Sequence, residues 1–293
     1  MYRLAAAALL LAPLPLAAQP APDAVAAARP AFAQGSMNVF RRFPSDQRAR
    51  MIDFYGKALG LPALQPIQLT ATQQMILFRA GTSGQIKLST GLVPERRYHL
   101  GGPNDATGIR LYTLAFPDEA AVAARFKAAG YPAPAFRTVG GRREAMLKDP
   151  GGFNLRLAID PAAPAATSAG VEVGINVGDL ARARAFYRDF VGLEELPPVK
   201  DAGLGVTKYP FRHGETTIAL WSMGKRLPAD TGSAGIQYVV SNVDAVNAAA
   251  LAQHVTVETP LGGVAGFDIK TVWLNDPDGV TNYFYQLNRR AAQ

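Results

Sequence analysis

The chain has 293 residues, of which 48% are hydrophobic and 18% are charged, so it is long enough for two globular domains and is not an intrinsically disordered protein. The formal net charge is +7, but the Lys and Arg residues are scattered and form no basic stripe, which argues against nucleic-acid binding. The sequence contains no cysteine. Disulfide bonds, thiolate metal sites, a cysteine nucleophile and lipid attachment through an N-terminal cysteine are therefore excluded.

The N-terminus has the composition of a secretory signal peptide. One cation, Arg3, precedes an apolar stretch that extends to Ala18 and is too short and too rich in proline to span a bilayer. We therefore predict a signal peptide over residues 1–18 and a flexible lead-in over 19–35. The mature protein would be periplasmic or secreted by a bacterium, with no membrane insertion after cleavage. A disordered leader on a cytosolic protein is the alternative interpretation.

The two halves of the chain repeat one another on either side of a Pro/Ala/Ser-rich linker at residues 161–170. The segment DFYGKALGL, which begins at Asp53, aligns without a gap with AFYRDFVGL, which begins at Ala185. In each half a strand precedes this helix, and a second strand–helix unit follows. Each half closes with a strand pair around a turn, DPGG at 149–152 and DPDG at 276–279.

This order of elements predicts an α+β protein in which a βαβββ unit occurs four times. The units pair into one domain over residues 36–160 and a second over residues 171–288.

The chain resembles the vicinal oxygen chelate superfamily, which includes glyoxalase I, bleomycin resistance proteins and extradiol dioxygenases. The resemblance is carried by helices of the type GDLARARAFYRDFVGL (178–193), one per half, and by the DPDG or DPGG turn before the last strand. The resemblance implies that each half is a glyoxalase-like domain, whose two units curl into one cup-shaped sheet that holds the ligand. It also implies a divalent metal held by the first and last strands of each unit. Homodimer formation is left open.

The metal-ligand positions that the resemblance implies carry few metal ligands in this sequence. In the second half they fall at Glu172, near Ala219, at Gly235 or Ile236, and at Tyr283; in the first half they fall near Asn38, Lys87, Leu111 and Arg156. Only Glu172 is a good ligand for a hard cation, and one carboxylate does not make a site. We therefore expect metal-free cups with no cofactor.

Strand alternation selects the side chains that would face the cups. Glu172 and Tyr283 form a candidate catalytic pair. A carboxylate beside aromatic groups would have a raised pKa and could act as a general base, while the phenol donates to a substrate oxygen. The alternative is an exposed Glu172 and a Tyr283 in the core. The candidate substrate-binding residues are Asn38, Phe40, Arg156, Asn176, Trp221, Tyr238, Lys270 and Tyr285.

Some of these candidates have a competing structural role. Arg156 would hold a substrate carboxylate, or it forms a buried ion pair. Trp221 and Tyr238 would stack on an aromatic ligand, or they belong to the core. The segment LGGVAGF (261–267), close to Lys270, is predicted to be a flexible loop that covers the second cup as a lid.

Two functions from different classes follow. The preferred one is an exported protein that binds a small aromatic or oxygenated organic molecule in a metal-free cup, because the catalytic residues are not compelling. The alternative is a metal-independent lyase or isomerase that acts on such a compound through Glu172 and Tyr283. A third interpretation is a metal-dependent glyoxalase- or dioxygenase-type enzyme with a degenerate site at Glu172.

Overall fold

The computed structural model describes residues 29–69, 74–163 and 170–288. The predicted signal peptide, most of the lead-in and the centre of the linker lie outside these residues. No helix in the described ranges is long and apolar enough to cross a membrane.

Four βαβββ units follow one another along the chain. The first contains β1 (Asn38–Phe43), α1 (Arg48–Asp53), β2 (Ala63–Gln68), β3 (Gln74–Ala80) and β4 (Gly84–Thr90). The second contains β5 (Gly108–Phe116), α2 (Glu119–Ala128), β6 (Arg137–Val139), β7 (Arg142–Lys148) and β8 (Asn154–Ile159). The third contains β9 (Val171–Asn176), α3 (Leu180–Ala185), β10 (Glu194–Glu195), β11 (Val199–Asp201), β12 (Val206–His213) and β13 (Thr216–Trp221). The fourth contains β14 (Ala234–Val239), α4 (Val243–Ala252), β15 (Val257–Val264), β16 (Phe267–Asn275) and β17 (Thr281–Leu287).

The strands form two curled sheets, each of which combines units from opposite halves of the chain. The first sheet has the order β15-β16-β17-β14-β1-β4-β3-β2 and contains units four and one. The second has the order β10-β12-β13-β9-β5-β8-β7-β6 and contains units three and two, with β11 paired to β12. The α+β class, the two tandem repeats and the two cup-shaped sheets are confirmed. The structure differs in the pairing: the two units of one half do not share a sheet.

Units from opposite halves share a sheet because the first strand of one unit pairs antiparallel with the first strand of the other at the centre of the sheet. In the first sheet β1 pairs with β14, and Asn38 lies opposite Gln237. In the second sheet β5 pairs with β9, and Thr113 lies opposite Glu172. Every cup is therefore lined by residues from both halves.

Alternation along the strands gives each sheet an apolar side and an inner side. On β1, Val39 and Phe43 join the hydrophobic core together with Ile86 and Leu88 of the neighbouring β4. Asn38 is the residue before Val39 and therefore points to the inner side, where it hydrogen-bonds Tyr285. The core side, packed against helices, stabilises the sheet and leaves the inner side for a site.

The two sequence motifs that repeat between the halves contact each other. A π-helical turn follows α1 over Phe54–Ala58 and buries Tyr55, whose hydroxyl donates to Asp149 Oδ2 of the DPGG turn at 3.1 Å. In the second half Tyr187 donates to Asp276 Oδ2 of the DPDG turn at 2.9 Å. These bonds join unit one to two and unit three to four, whereas the sheets join one to four and two to three. The four units are thus linked in a closed ring.

Arg41 lies where three of these units meet. Its Nε donates to Asp149 Oδ2 at 3.1 Å and its Nη2 to the carbonyl of Gly151 at 3.0 Å, both in the second unit. Its Nη1 donates to the carbonyl of Ser233, just before β14, at 2.9 Å. Arg41 and Asp149 are both buried. A buried ion pair of this kind fixes the relative position of its neighbours, because neither charge can be left without its partner.

The end of the predicted lead-in is ordered by contact with the fourth unit. Phe32 forms an isolated bridge with Val240, and the amide of Ala33 donates to the carbonyl of Val239 at 2.8 Å. The carbonyl of Gln34 lies 2.7 Å from Nε2 of His213. Residues 29–35 therefore belong to the folded body, contrary to a flexible lead-in that extends to residue 35.

We predict that Arg41→Met lowers the free energy of unfolding by about 3–5 kcal/mol, because it leaves the Asp149 carboxylate buried without its cation. Urea denaturation of the purified protein measures the change. The control is Arg212→Met, which removes an exposed ion pair with Glu194 and should cost less than about 1 kcal/mol. Equal losses in the two variants would contradict a special role for Arg41.

Candidate functional site

The inner side of the first sheet contains a cavity of about 290 Å³ with apolar walls and a polar floor. Its walls come from β3, the end of β2 and the β15–β16 hairpin. The apolar lining residues are Ile67, Leu69, Met75, Leu77, Val264, Phe267, Ile269 and Leu287. The polar lining residues are Gln85, Lys87, Gln237, Tyr283 and Tyr285. Such a mixture is typical of small-molecule sites, in which apolar walls supply affinity and a few polar groups fix orientation.

Strand register aligns floor residues across three neighbouring strands, β1, β14 and β17. Asn38 lies opposite Gln237, and Gln237 lies opposite Tyr283. Asn38 Nδ2 donates to the hydroxyl of Tyr285 at 3.3 Å, so the Tyr285 proton remains available to a ligand. Gln237 Oε1 is buried and has no hydrogen-bond partner among the described residues. An unpaired buried acceptor costs free energy, and a ligand donor at the floor would remove that cost.

Lys87 is the charged residue of this cavity. It lies on β4 and is only 7% exposed. Its Nζ lies 5.3 Å from the centre of the Tyr285 ring, and within the described ranges it has no carboxylate partner. Burial therefore lowers the pKa of Lys87 from its ordinary value of 10.5 to about 8.

The two floor tyrosines remain protonated at neutral pH. Burial raises the pKa of Tyr285 to about 12 and also raises the pKa of Tyr283. The Tyr283 ring packs edge-on against Trp273 at 5.2 Å between centres. Both phenols can therefore donate a hydrogen bond to a bound oxygen atom.

The floor residues do not fit the divalent metal that the resemblance implies. The four strand positions of this cup carry Asn38, Lys87, Gln237 and Tyr283. None is a carboxylate or an imidazole, and an ammonium in their midst would repel a cation. In the part of the chain that the structure describes, no three His, Asp or Glu side chains are grouped to hold a metal.

A second, more polar cavity of about 580 Å³ lies on the same inner side, towards the start of β17. Arg42 and Arg96 both line it, and Nη1 of Arg42 is buried without a partner in the described structure. Burial and the neighbouring Arg42 lower the pKa of Arg96 to about 10. Arg96 is paired with Glu258. Two guanidinium groups therefore line this cavity together with two carboxylates, those of Glu95 and Glu258.

The inner side of the second sheet is occupied by the protein's own charges. Arg156 binds Asp201 through two hydrogen bonds of 2.6 and 3.1 Å and forms an ion pair with Glu144 at 3.5 Å. Lys208 Nζ lies 2.6 Å from Glu172 Oε1 and 3.1 Å from Asp201 Oδ2. The hydrogen bonds from Arg156 and the charge of Lys208 lower the pKa of Asp201 to about 2, despite its burial. We call these five residues the ion cluster.

The loop after β11 closes this second cup. A Cβ at Gly203 would lie 2.5 Å from Glu144 Oε1, so a larger residue there would have to displace the Glu144 carboxylate. The carbonyl of Leu204 accepts from Asn104 Nδ2 at 3.1 Å, and Asn104 Oδ1 accepts from Trp221 Nε1 at 3.0 Å. The second cup is thus filled and covered, with about 180 Å³ left beside the ion cluster.

The predicted catalytic pair is separated by this arrangement. Glu172 lies on β9 of the second sheet and Tyr283 on β17 of the first, so the expectation that they act together is wrong. Glu172 accepts from Thr113 and Lys208 and does not lie in an apolar setting. Two of the implied metal positions also differ from those predicted. Thr113, and not Leu111, lies opposite Glu172, and Gln237, and not Gly235 or Ile236, lies opposite Asn38.

Six of the eight predicted binding residues lie in one of the two cups. Asn38, Phe40 and Tyr285 lie on the inner side of the first sheet, where the Phe40 ring covers Gly235. Arg156, Asn176 and Trp221 lie in the filled second cup. Arg156 forms a buried ion pair with Asp201, and Asn176 donates to the carbonyl of Ala106.

Tyr238 and Lys270 point away from both cups, contrary to prediction. Tyr238 donates to Asn282 Oδ1 and stacks on Phe284 in the core, and Lys270 pairs with Asp244 of α4 at the surface. The predicted lid LGGVAGF is instead the strand hairpin of β15 and β16, whose tip residues Val264 and Phe267 line the cavity of the first sheet.

Comparison with known proteins supports the fold. The family model of the Glyoxalase/Bleomycin resistance protein/Dioxygenase superfamily matches residues 41–157 and 170–284. Glyoxalase I from Zea mays is 19% identical in sequence, covers 87% of this chain and 92% of its own, and superposes with a TM-score of 0.66. A proposed dioxygenase from Bacillus subtilis is 13% identical, with 89% and 87% covered and a TM-score of 0.63. No curated protein sequence matches significantly. At these identities the structural likeness shows the fold alone.

We predict that Lys87→Met stabilises the protein at pH 7 by about 2–3 kcal/mol, because below pH 8 the buried ammonium is charged and opposes folding. Between pH 8 and about 10.5 the unfolded chain holds a proton that the folded chain has lost, so the stability of the wild type rises with pH. The advantage of the variant should therefore shrink over that range. Urea denaturation at pH 7 and pH 10 measures both effects. A variant that is less stable than the wild type at pH 7 would contradict the burial of an unpaired charge.

Proposed function

The chain belongs to the Glyoxalase/Bleomycin resistance protein/Dioxygenase superfamily, and we propose that it binds a small organic molecule in the cavity of the first sheet without a metal. The ligand has an apolar or aromatic body and one oxygen function. The observation that carries the proposal is the combination of eight apolar wall residues with a hydrogen-bonding floor in one cavity of about 290 Å³.

The floor chemistry supports an oxygen function on the ligand. Tyr283 and Tyr285 are protonated phenols and Lys87 supplies further N–H donors, so three donors surround the place where a ligand oxygen would lie. An oxygen atom accepts such donors in a carbonyl, a hydroxyl or an ether. A hydrocarbon would leave the floor groups without partners, which a buried polar site disfavours.

The second cup is not proposed as a binding site. In its ion cluster Arg156 is paired with Asp201 and Glu172 is paired with Lys208, and Gly203 lies against these residues. A ligand would have to separate buried ion pairs and leave charges without partners, which costs several kcal/mol. The lyase or isomerase that combines Glu172 with Tyr283 is not proposed either, because the two residues belong to different sheets.

We further propose that the protein acts outside the cytoplasm, on the basis of its leader. Expression of the full chain in a Gram-negative host, followed by N-terminal sequencing of the periplasmic fraction, tests this. We expect a mature N-terminus near Gln19, or after the second small-residue segment Ala24–Ala26. Protein that is found only in the cytoplasm and begins at Met1 would contradict export.

We predict that Leu77→Trp abolishes ligand binding, because the larger side chain fills the cavity from β3, where Leu77 is buried on the inner side. Native mass spectrometry of protein purified from cells detects a bound organic molecule, and calorimetric titration with 3-phenylpropan-1-ol provides a defined probe. The control is Leu100→Trp at an exposed loop, which should bind like the wild type. A wild type that carries no adduct and shows no saturable binding of the probe would overturn the proposal.

A further inference from the structure

The amine of Lys87 has different surroundings from the amines of three ion-paired lysines of this protein. Lys57, Lys208 and Lys270 each have a carboxylate within 2.8 Å. Lys87 instead projects into a cavity whose lining residues in the described structure include no carboxylate. The aromatic ring of Tyr285 is the group that interacts with its charge. A lysine that only stabilised the fold would be expected to have a counter-ion.

The surroundings of Lys87 favour the neutral amine, which is the nucleophilic form of lysine. The pKa of about 8 follows from burial. At pH 7 the neutral fraction is then about one tenth, roughly 300 times that of an ordinary lysine. The lone pair of the neutral amine is free, because no described residue donates to Nζ. The apolar lining residues of the cavity lie where the body of a ligand would bind.

The floor also supplies the proton donors that addition to a carbonyl needs. The hydroxyl of Tyr285 accepts from Asn38 and keeps its own proton, and burial holds both Tyr283 and Tyr285 in the protonated form. A phenol that donates to a carbonyl oxygen polarises the C=O bond and can pass a proton to the oxygen as it develops negative charge.

We propose that Lys87 captures an aldehyde with an apolar body as a reversible Schiff base. The inference rests on the proposed binding function and names the ligand class for the same cavity. The amine nitrogen attacks the carbonyl carbon to form a C–N bond and gives a carbinolamine. The C–O bond then breaks, and the carbonyl oxygen leaves as water together with the two hydrogens of the neutral amine. No oxidant or reductant is needed, and addition of one water reverses the reaction.

Reductive trapping tests the proposal on the full chain. The protein is incubated at pH 7.5 with 3-phenylpropanal and sodium cyanoborohydride, which reduces the imine to a stable secondary amine. We expect rapid addition of one equivalent, with a mass increase equal to the aldehyde minus one oxygen atom, located at Lys87 by peptide mapping. Lys87→Met should lose this rapid addition, and Lys57→Met, at an exposed lysine, should keep it.

The pH dependence supplies a readout that non-specific labelling would not give. The initial rate of imine formation at Lys87, sampled by quenching with sodium borohydride at timed intervals, should rise with pH to a midpoint near 8, whereas that at Lys57 should still be rising beyond pH 10. Trapping should also be slowed by 3-phenylpropan-1-ol, which occupies the cavity and cannot form an imine. Equal rates of labelling at Lys87 and Lys57 across this pH range would overturn the proposal.

The same experiment separates failure of this inference from failure of the proposed function. If the alcohol binds in the cavity and Lys87 is labelled no faster than Lys57, the cavity binds ligands but Lys87 is not a nucleophile, and the Schiff base is overturned alone. If the alcohol does not bind and Lys87 shows no rapid labelling, both proposals are overturned. Rapid labelling of Lys87 that is lost in Leu77→Trp supports both.

Discussion

The antiparallel pairing of opening strands from opposite halves is the constraint on which the rest of the structure depends. Because β1 pairs with β14 and β5 pairs with β9, no half of the chain completes a cup by itself. Asn38 and Gln237 become neighbours although about two thirds of the chain separates them. The same pairing removes four sheet edges that would otherwise be exposed to aggregation. The tyrosine-to-turn hydrogen bonds and Arg41 then hold the crossed units together.

The two cups have the same strand architecture but differ in how their charged residues are paired. In the second cup, two cations and three carboxylates are paired with one another, and the unpartnered atoms there are Arg156 Nε and Asn176 Oδ1. In the first cup, the floor keeps one ammonium without a counter-ion and one amide oxygen without a donor. Both of these groups destabilise the folded protein. Natural proteins retain such destabilising polar groups chiefly at sites where the groups bind a ligand or take part in a reaction.

The sequence alone could predict the four βαβββ units but not which two units share a sheet. The alignment of the FY helices and the DPGG and DPDG turns predicted four βαβββ units, and strand alternation placed Asn38, Tyr283 and Tyr285 on the inner side. The same alternation is satisfied whether a unit pairs within its half or across the halves, because the strands that meet are equivalent in both schemes. Sequence therefore pairs Glu172 with Tyr283, whereas the structure places the two residues in different sheets. Lys87 was on an implied metal position, but without the crossed pairing nothing showed that apolar strands would surround it.

Lys87 changes the chemistry available at a position where the resemblance implies a metal ligand. A divalent metal would polarise a ligand oxygen at any pH near neutrality and could not act as a nucleophile. An ammonium at the same strand position polarises an oxygen only while it is protonated, and on losing that proton it becomes a nucleophile. With a pKa of about 8, both forms are populated near neutral pH. The protonated form orients a carbonyl oxygen through hydrogen bonds, and the neutral form attacks the carbonyl carbon. A single buried lysine can therefore provide both recognition and reaction, provided that no carboxylate fixes it in the charged form, and the apolar walls of the first cup meet that condition.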